Sequence, residues 1–448
     1  MMDWNKLISN KRFGQEDAHP RRHDDRSEFK RDYDRLIFSS PFRRMQNKTQ
    51  VFPLPGSVFV HNRLTHSLEV ASVGQSLAND VAQEVIMKRP ELAETLFPEI
   101  GTIVATACLA HDLGNPPFGH SGEKAIQTFF SEGAGQKIKD KVSTEFWQDI
   151  THFEGNSNAF RLLTHRFKGR RQGGFVMTYS ALAAMVKYPY SSAYIGATDH
   201  NKFGFFDSES TYFAKIAEDL GLLRQYRQGQ PLRYARHPLV YIVEAADDIC
   251  YEIMDIEDAF KLRLLTYDET SNLLLSFFDE KTRNQIMLRI IEEGITDDHE
   301  KIVYIRARVI GVLERECAAA FVRNEQEILN GMFDMPLVEA MTEQVRNAYH
   351  ECQEVSFGKI YHSKPVVDIE MAGYKIMATL MEQFTEAAVH PDKFYSQQLI
   401  KRVSSQYDID SADLQTRIAA VIDYISGMTD VYALDVFEKI NGLSLPIV

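Results

Sequence analysis

The chain has 448 residues, 44% of them hydrophobic and 25% charged, with 24 Gly and 15 Pro; at ~150 residues per domain that is roughly three domains' worth of polypeptide. This composition excludes a collagen-like repeat, a disordered tail and a coiled-coil rod. A formal net charge of −13, from 63 acidic and 50 basic residues, excludes a chain that coats nucleic acid through its overall charge.

Met1 to Arg12 holds no apolar run, and the longest one nearby, Gly101 to Ala110, is about half of what a bilayer span needs. The sequence therefore predicts a globular protein with no membrane partner. Cys108, Cys250, Cys317 and Cys352 lie far apart in apolar helical contexts, which reads as reduced core thiols of a cytoplasmic protein and spells no thiolate zinc site. Residues 1–60 are rich in arginine, with Arg12, Arg21, Arg22, Arg26, Arg31, Arg35, Arg43 and Arg44 diluted by Asp24, Asp25, Asp32 and Asp34. Val51 to Phe59 is a weak strand candidate beside Gly and Pro. Arg63 to Val85 and Glu99 to Leu113 then carry apolar residues at three- and four-residue spacing and predict helices.

After the loop Gly114 to Gly119, the window from Gly155 to Thr198 contains no Asp or Glu, yet carries Arg161, Arg166, Lys168, Arg170, Arg171 and Lys187. Guanidinium groups match phosphate oxygens in a bidentate fork, so two arginine-rich stretches in an acidic chain suggest an anionic ligand; a solvated basic face is the alternative. Gly173 to Thr178 is a second weak strand, and Phe167 to Gly174, Tyr188 to Gly204 and Arg227 to Pro238 read as loops. Pro238 to Leu264 is helical. Beyond about Leu265 the pattern stays helical and becomes charge-rich, with Asp368 to Phe384 a further helix. The prediction is an all-α protein with at most a small β-hairpin, divided into residues 1–60, 61–265 and 266–448.

Chemistry concentrates at three places. His111-Asp112 ends an apolar helix just before Gly114 and Pro116-Pro117, and Ile103, Ala107 and His111 share one face, which turns the imidazole inward. Alone, this pair looks like a core histidine satisfied by a neighbouring carboxylate. His66 follows the same rule on another helix, in the stripe His66, Val70, Val73, Leu77. On a third, Val243, Asp247, Cys250 and Met254 share a face, putting a carboxylate where an apolar residue is expected. A buried carboxylate must be protonated, paired or bound to a cation. Two imidazoles and two carboxylates from three helices form an N/O ligand set for a divalent metal such as Mn, Fe, Co, Ni, Zn or Mg.

These residues resemble the H…HD…D signature of the HD-domain metal-dependent phosphohydrolases. The surrounding blocks are similar to the deoxyguanosine triphosphate triphosphohydrolases: Ser40-Pro41-Phe42-Arg43-Arg44, Lys48-Thr49-Gln50-Val51, His61-Asn62-Arg63-Leu64-Thr65-His66-Ser67, His111 through His120, His152-Phe153-Glu154-Gly155-Asn156, Glu244 through Ile249, and Asp423 through Asp430. The resemblance implies an HD helical core at 61–265 holding the metal site, with further C-terminal helices packed on it. It also implies metal ligation by His66, His111, Asp112 and Asp247.

His120 and Glu123, spaced by three on one helix face, form an imidazole–carboxylate pair suited to proton transfer or, equally, a helix-start contact; the resemblance assigns them, with His152, to catalysis. Asp247, Tyr251 and Asp255 are spaced by four, roughly 6 and 12 Å along a helix, and the resemblance puts Tyr251 and Asp255 on the deoxyribose. It further implies substrate contacts from Gln50, Arg63, Lys187, Tyr188 and Glu370. Many relatives have a histidine where this chain has Asn115, a further substrate contact that can donate a hydrogen bond to a phosphate oxygen but cannot carry a proton.

The expectation is metal-dependent hydrolysis of deoxynucleoside triphosphates, preferentially dGTP, to deoxynucleoside and inorganic triphosphate, with Mn or Mg the first candidates. A 5′-nucleotidase or cyclic-nucleotide phosphodiesterase of the same fold, or a nucleotide- or single-stranded-DNA-binding regulator, are the alternatives. The resemblance also implies a homo-oligomer, hexamer or tetramer, and an effector role for single-stranded DNA or a nucleotide.

Overall fold

Asn62 and Thr65 cap each other at the start of the second long stretch of helix: Asn62 Oδ1 accepts from Thr65 N (3.0 Å) and Thr65 Oγ1 from Asn62 N (3.1 Å), so two otherwise unpaired donors are satisfied. In the computed structural model, which describes residues 1–16, 25–52, 60–195, 202–225 and 231–444, this cap begins one of the helices that build the core. The principal helices are α1 (Glu28–Ile37), α2 (Arg63–Lys88), α3 (Ile100–Ala110), α4 (Gly119–Ser131), α5 (Gly155–Thr164), α6 (Pro238–Lys261), α7 (Asp298–Leu329), α8 (Lys364–Val389), α9 (Leu414–Ser426) and α10 (Asp430–Ile440). Further helices, among them Glu280–Glu292 and Glu343–Val355, connect them. The fold is all-α, as the periodicity predicts.

Helix α2 packs along α3 and α6, and α7 covers α2 and α6 from the other side. Ile242, Val243, Ile249, Ile253 and Ile256 of α6 are fully buried, and each such side chain stabilises the fold by about 1.5–3 kcal/mol relative to exposure. Helix α8 lies on α4, α9 and α10, so the C-terminal helices close over the segment that follows α3. Among the described residues no helix is long and apolar enough to cross a membrane.

The hairpin is misplaced in the sequence reading. Gly173, Gly174 and Val176 have φ of 82°, 58° and 56°, left-handed values that no strand tolerates. The segment 173–178 therefore turns, and only Thr178 bridges to Arg12. Of Val51 to Phe59, residues 53–59 lie outside the described residues, and Val51 and Phe52 form no strand. The sheet is instead Arg224–Gln225 paired antiparallel with Arg233–Tyr234, and the second of those strands falls in a stretch read as loop. Helix α6 stops at Lys261 rather than Leu264 because Arg263 takes a φ of 61°. Helix α8 is longer at both ends than 368–384.

The basic stretches divide once folded. Arg12 Nη1 lies 2.6 Å from Asp32 of α1 and Arg12 Nε 2.5 Å from Glu28, an internal clamp. Arg161 is buried, with Nε 2.8 Å from Asp423 Oδ1 and Nη1 2.8 Å from Glu209 Oε1. Arg166, Lys168 and Arg171 remain exposed. Removing the Arg161 charge would leave two buried carboxylates uncompensated, a loss of about 3–5 kcal/mol.

Candidate active site

The capped first turn of α2 presents Arg63 and His66 inward, both buried. Helix α3 ends where the His111 ring turns back, its Nδ1 2.6 Å from the Cys108 carbonyl. Donation there commits Nδ1, so Nε2 is the nitrogen a metal would take, in exchange for the proton that the neighbouring carboxylates favour there. His111 Nε2 is buried and makes no hydrogen bond. It lies 3.3 Å from Asp247 Oδ1 and 3.6 Å from Asp112 Oδ1, and His66 Nε2 is 3.1 Å from the same Asp247 oxygen. His66, His111 and Asp112 each offer a ligand atom within 4.8 Å of one another. An orphaned imidazole nitrogen surrounded by carboxylate oxygens and a second imidazole fits a divalent cation.

Each carboxylate shows one oxygen to the histidines and gives the other to a fixed cation. Asp247 Oδ2 accepts from Lys187 Nζ at 2.6 Å, and Asp112 Oδ2 from Arg63 Nη1 at 2.7 Å. Burial would raise the Asp247 pKa, but Lys187 and His111 outweigh it and hold the carboxyl well below its usual range. Burial likewise opposes ionisation of Asp112, and Arg63 with His111 brings it down to about 2. Asn115 donates its amide Nδ2 to Asp112 Oδ1, which steadies that carboxylate.

Past the loop, the first turn of α4 carries His120, whose Nδ1 is 2.8 Å from Glu123 Oε2. The hydrogen bond to Glu123 raises the His120 pKa. Glu123 is buried, while the His120 side chain is 80% exposed, so the imidazole opens to solvent and its carboxylate does not. Glu123 Oε1 accepts from Gly155 N at 2.8 Å. A Cβ on Gly155 would stand 2.9 Å from that oxygen and 2.2 Å from Asn115 Oδ1, so only glycine lets α5 start this close. His120, Glu123, His152, Glu154 and Lys202 line a cleft of about 760 Å³. His152 Nδ1 lies 3.0 Å from the Gln148 carbonyl. Burial, then the charge of Glu123, pushes the Glu154 carboxyl up to about 7.

Farther along α6, Asp255 is buried and its Oδ2 accepts from Tyr361 Oη at 3.0 Å. Burial pushes its pKa well above the carboxylate range. The Tyr251 and Tyr361 rings lie 5.9 Å apart. Gln50 Oε1 is buried with no hydrogen-bond partner, Tyr188 is half-buried next to Tyr190, and Glu370 is exposed on α8, its carbonyl accepting from Ser121 Oγ of α4 at 2.5 Å. The structure thus brings the four expected ligands, Arg63 and Lys187 into one cluster, His120, Glu123 and His152 into one cleft, and Tyr251 with Asp255 onto one helix face. Lys48, Glu154, Tyr361 and Asp430 received no role from sequence. Lys48 and Asp430 lie in the blocks that carry the resemblance, which was the available signal, whereas Tyr361 had none.

A helical core carrying histidines and aspartates in this order defines the class: the HD-domain family profile matches residues 63–173 and that of the phosphohydrolase-associated domain residues 339–439. The chain is 37% identical to a deoxyguanosinetriphosphate triphosphohydrolase-like protein of Pseudomonas aeruginosa and 36% identical to one of Synechocystis, in both cases over 99% of this chain and 100% of the relative. It is 27% identical to the deoxyguanosinetriphosphate triphosphohydrolase of Yersinia enterocolitica over 92% of this chain and 93% of that protein. The chain belongs to the deoxyguanosinetriphosphate triphosphohydrolase family.

Proposed function

We propose that the protein hydrolyses deoxynucleoside triphosphates, dGTP preferentially, to the deoxynucleoside and inorganic triphosphate. The observation that carries this reading is the convergence of His66, His111 and Asp247, with Asp112, around the unpartnered His111 Nε2. These four residues would hold a divalent cation, Mn or Mg first and Co, Ni, Fe or Zn by the same donor chemistry. When bound, the cation supplies Lewis acidity to phosphate oxygens and lowers the pKa of a water.

The remaining work falls to the chain's own groups. Arg63 and Lys187 keep Asp112 and Asp247 ionised and bring two positive charges to where phosphate oxygens would lie. His120, held by Glu123, gives a proton to the departing 5′-oxygen or takes one from the attacking water, and His152 shares its cleft. Tyr251 and Asp255 hold the deoxyribose, with Gln50, Tyr188 and Glu370 around the sugar and base. The unpaired oxygen of Gln50 supports such a contact, whereas Asn115 contributes through Asp112.

Four free, buried thiols fit the cytoplasm. Self-association into a hexamer or tetramer and a single-stranded DNA or nucleotide effector belong to the same proposal, with Phe394, Val431 and Leu434 as exposed apolar side chains and Arg166 and Arg171 as exposed cations. The experiment is product analysis: purified protein with Mn or Mg is given each dNTP in turn. Deoxynucleoside plus triphosphate is expected, fastest from dGTP, while dGMP plus pyrophosphate, or no turnover of any dNTP, defeats the reading.

A further inference from the structure

Three stretches remote in sequence meet behind the loop that joins the metal ligands to His120. Lys48, buried, donates from Nζ to the carbonyls of Asn115 at 2.5 Å and Ser426 at 3.1 Å. Its own carbonyl accepts from Arg63 N at 3.2 Å, seating the first turn of α2. The next residue, Thr49, donates from N (2.7 Å) and Oγ1 (2.6 Å) to Asp430 Oδ2. Asp430 Oδ1 accepts from Phe118 N at 2.9 Å. Asn158 Nδ2 donates to the Gly114 carbonyl at 2.7 Å and to Ser426 Oγ at 3.3 Å.

Phe118 is the strained member. Its φ of 60° costs about 1–2 kcal/mol for a residue other than glycine. Such a conformation persists only where its surroundings hold it. Two contacts do so: the amide to Asp430, and Gly373 of α8, where an added Cβ would fall 2.5 Å from Phe118 Cβ. Helix α4, with His120, begins at the very next residue.

We infer that Asp430, acting with Lys48 and Thr49, is a positioning residue: it fixes the 112–119 loop and so sets the distance between the metal centre and His120. Both oxygens of one carboxylate are used, one on the N-terminal stretch and one on the loop. Asp247 stands on α6, which none of these bonds reaches, while the Lys48 carbonyl holds Arg63 N at the head of the helix that carries His66. Releasing the Asp430 carboxylate therefore displaces His120 relative to Asp247 and the phosphate-binding centre. A displacement of about 1 Å between reacting groups can cost 10²-fold in rate.

The inference rests on the reading of His120 as the proton carrier, and its test separates the two. Asp430→Ala, Asp430→Asn, Thr49→Val and, as reference, His120→Ala are compared by amide hydrogen exchange, Mn binding and steady-state kinetics with dGTP. For Asp430→Ala, exchange across residues 113–121 rises sharply and kcat falls about 10²-fold, while KM and Mn affinity, the latter through Asp112 at the head of the loop, change by about tenfold at most. Asp430→Asn, which keeps one acceptor oxygen, recovers part of both. Thr49→Val loses less than Asp430→Ala and serves as the probe, with Asp430→Asn, if Asp430→Ala does not fold. Unchanged loop exchange, or a freed loop with kcat within about twofold of wild type, overturns the inference. If His120→Ala leaves kcat intact, the reading of His120 fails instead, and the tether is judged on exchange alone.

Discussion

Helix α6 carries two inward carboxylates two turns apart, and their surroundings give them opposite character. Asp247 faces Lys187 and two imidazoles and is held ionised despite burial. Asp255 accepts from a phenol hydroxyl, and burial, with Glu252 and Asp258 nearby, outweighs that bond and the more distant His61 and favours its protonated form. The same residue type on the same helix face thus becomes an anion suited to a cation at one end and a neutral hydrogen-bonding group suited to a sugar at the other. Position along a helix places a side chain, and its neighbours decide its charge.

Substitutions at each end should separate these roles. Asp247→Asn removes the anion and leaves Lys187 without its counter-charge, so stoichiometric Mn binding and dNTP hydrolysis are both expected to vanish, as calorimetry and product analysis would show. His120→Ala leaves the metal ligands alone and should lower kcat by roughly 10²–10⁴-fold with Mn affinity retained. At the other end, Asp255→Asn resembles the neutral acid already present. It should leave the melting temperature nearly unchanged, whereas Asp255→Ala orphans the Tyr361 hydroxyl and raises KM for dGTP by about tenfold. Tyr361→Phe, which removes only a donor, should cost about 1 kcal/mol in stability or substrate affinity.

A third buried group on α6 extends the contrast to pH. His237 caps the helix, accepting from Leu239 N at 3.2 Å, and its Nε2 lies 3.1 Å from the Leu7 carbonyl. It has no anion beside it, and burial pushes its pKa from 6.5 down to about 4. In the unfolded chain the ring takes up its proton first, so its stabilising contribution is complete above pH 6.5 and is lost as pH falls toward 4. Its share of the slope is at most about 1.4 kcal/mol per pH unit. Chemical denaturation across that window should show this decline, and His237→Gln should flatten it.

The sequence exposed the parts of this site that obey a helical period. His66, His111 and Asp247 each sit on an apolar stripe, so a polar side chain there announces an inward-facing group before any coordinates exist. Asp255 could be placed on its face in the same way, but its proton could not, because the depth of its burial depends on what packs against α6. Lys48 and Asp430 are ordinary residue types in ordinary surroundings, and their meaning lies in contacts spanning 378 and 381 positions. The hairpin failed for a related reason. Val176 is β-branched in a strand-like context, yet it turns left-handed where the carbonyl of that residue receives Arg12 and Arg35. Local charge did not sort the roles within the acid-free window, since Arg161 is paired with Asp423 and Glu209 inside the protein whereas Lys187 meets Asp247 at the site.

Gly155 offers a way to take the two halves of the chemistry apart. Its missing methyl leaves a gap into which both the Glu123 oxygen and the Asn115 amide project. Alanine there would wedge between the proton-handling pair and the loop that steadies Asp112 without altering one titratable atom, making a single methyl group a purely steric instrument for asking how far imidazole and cation may drift before turnover stops.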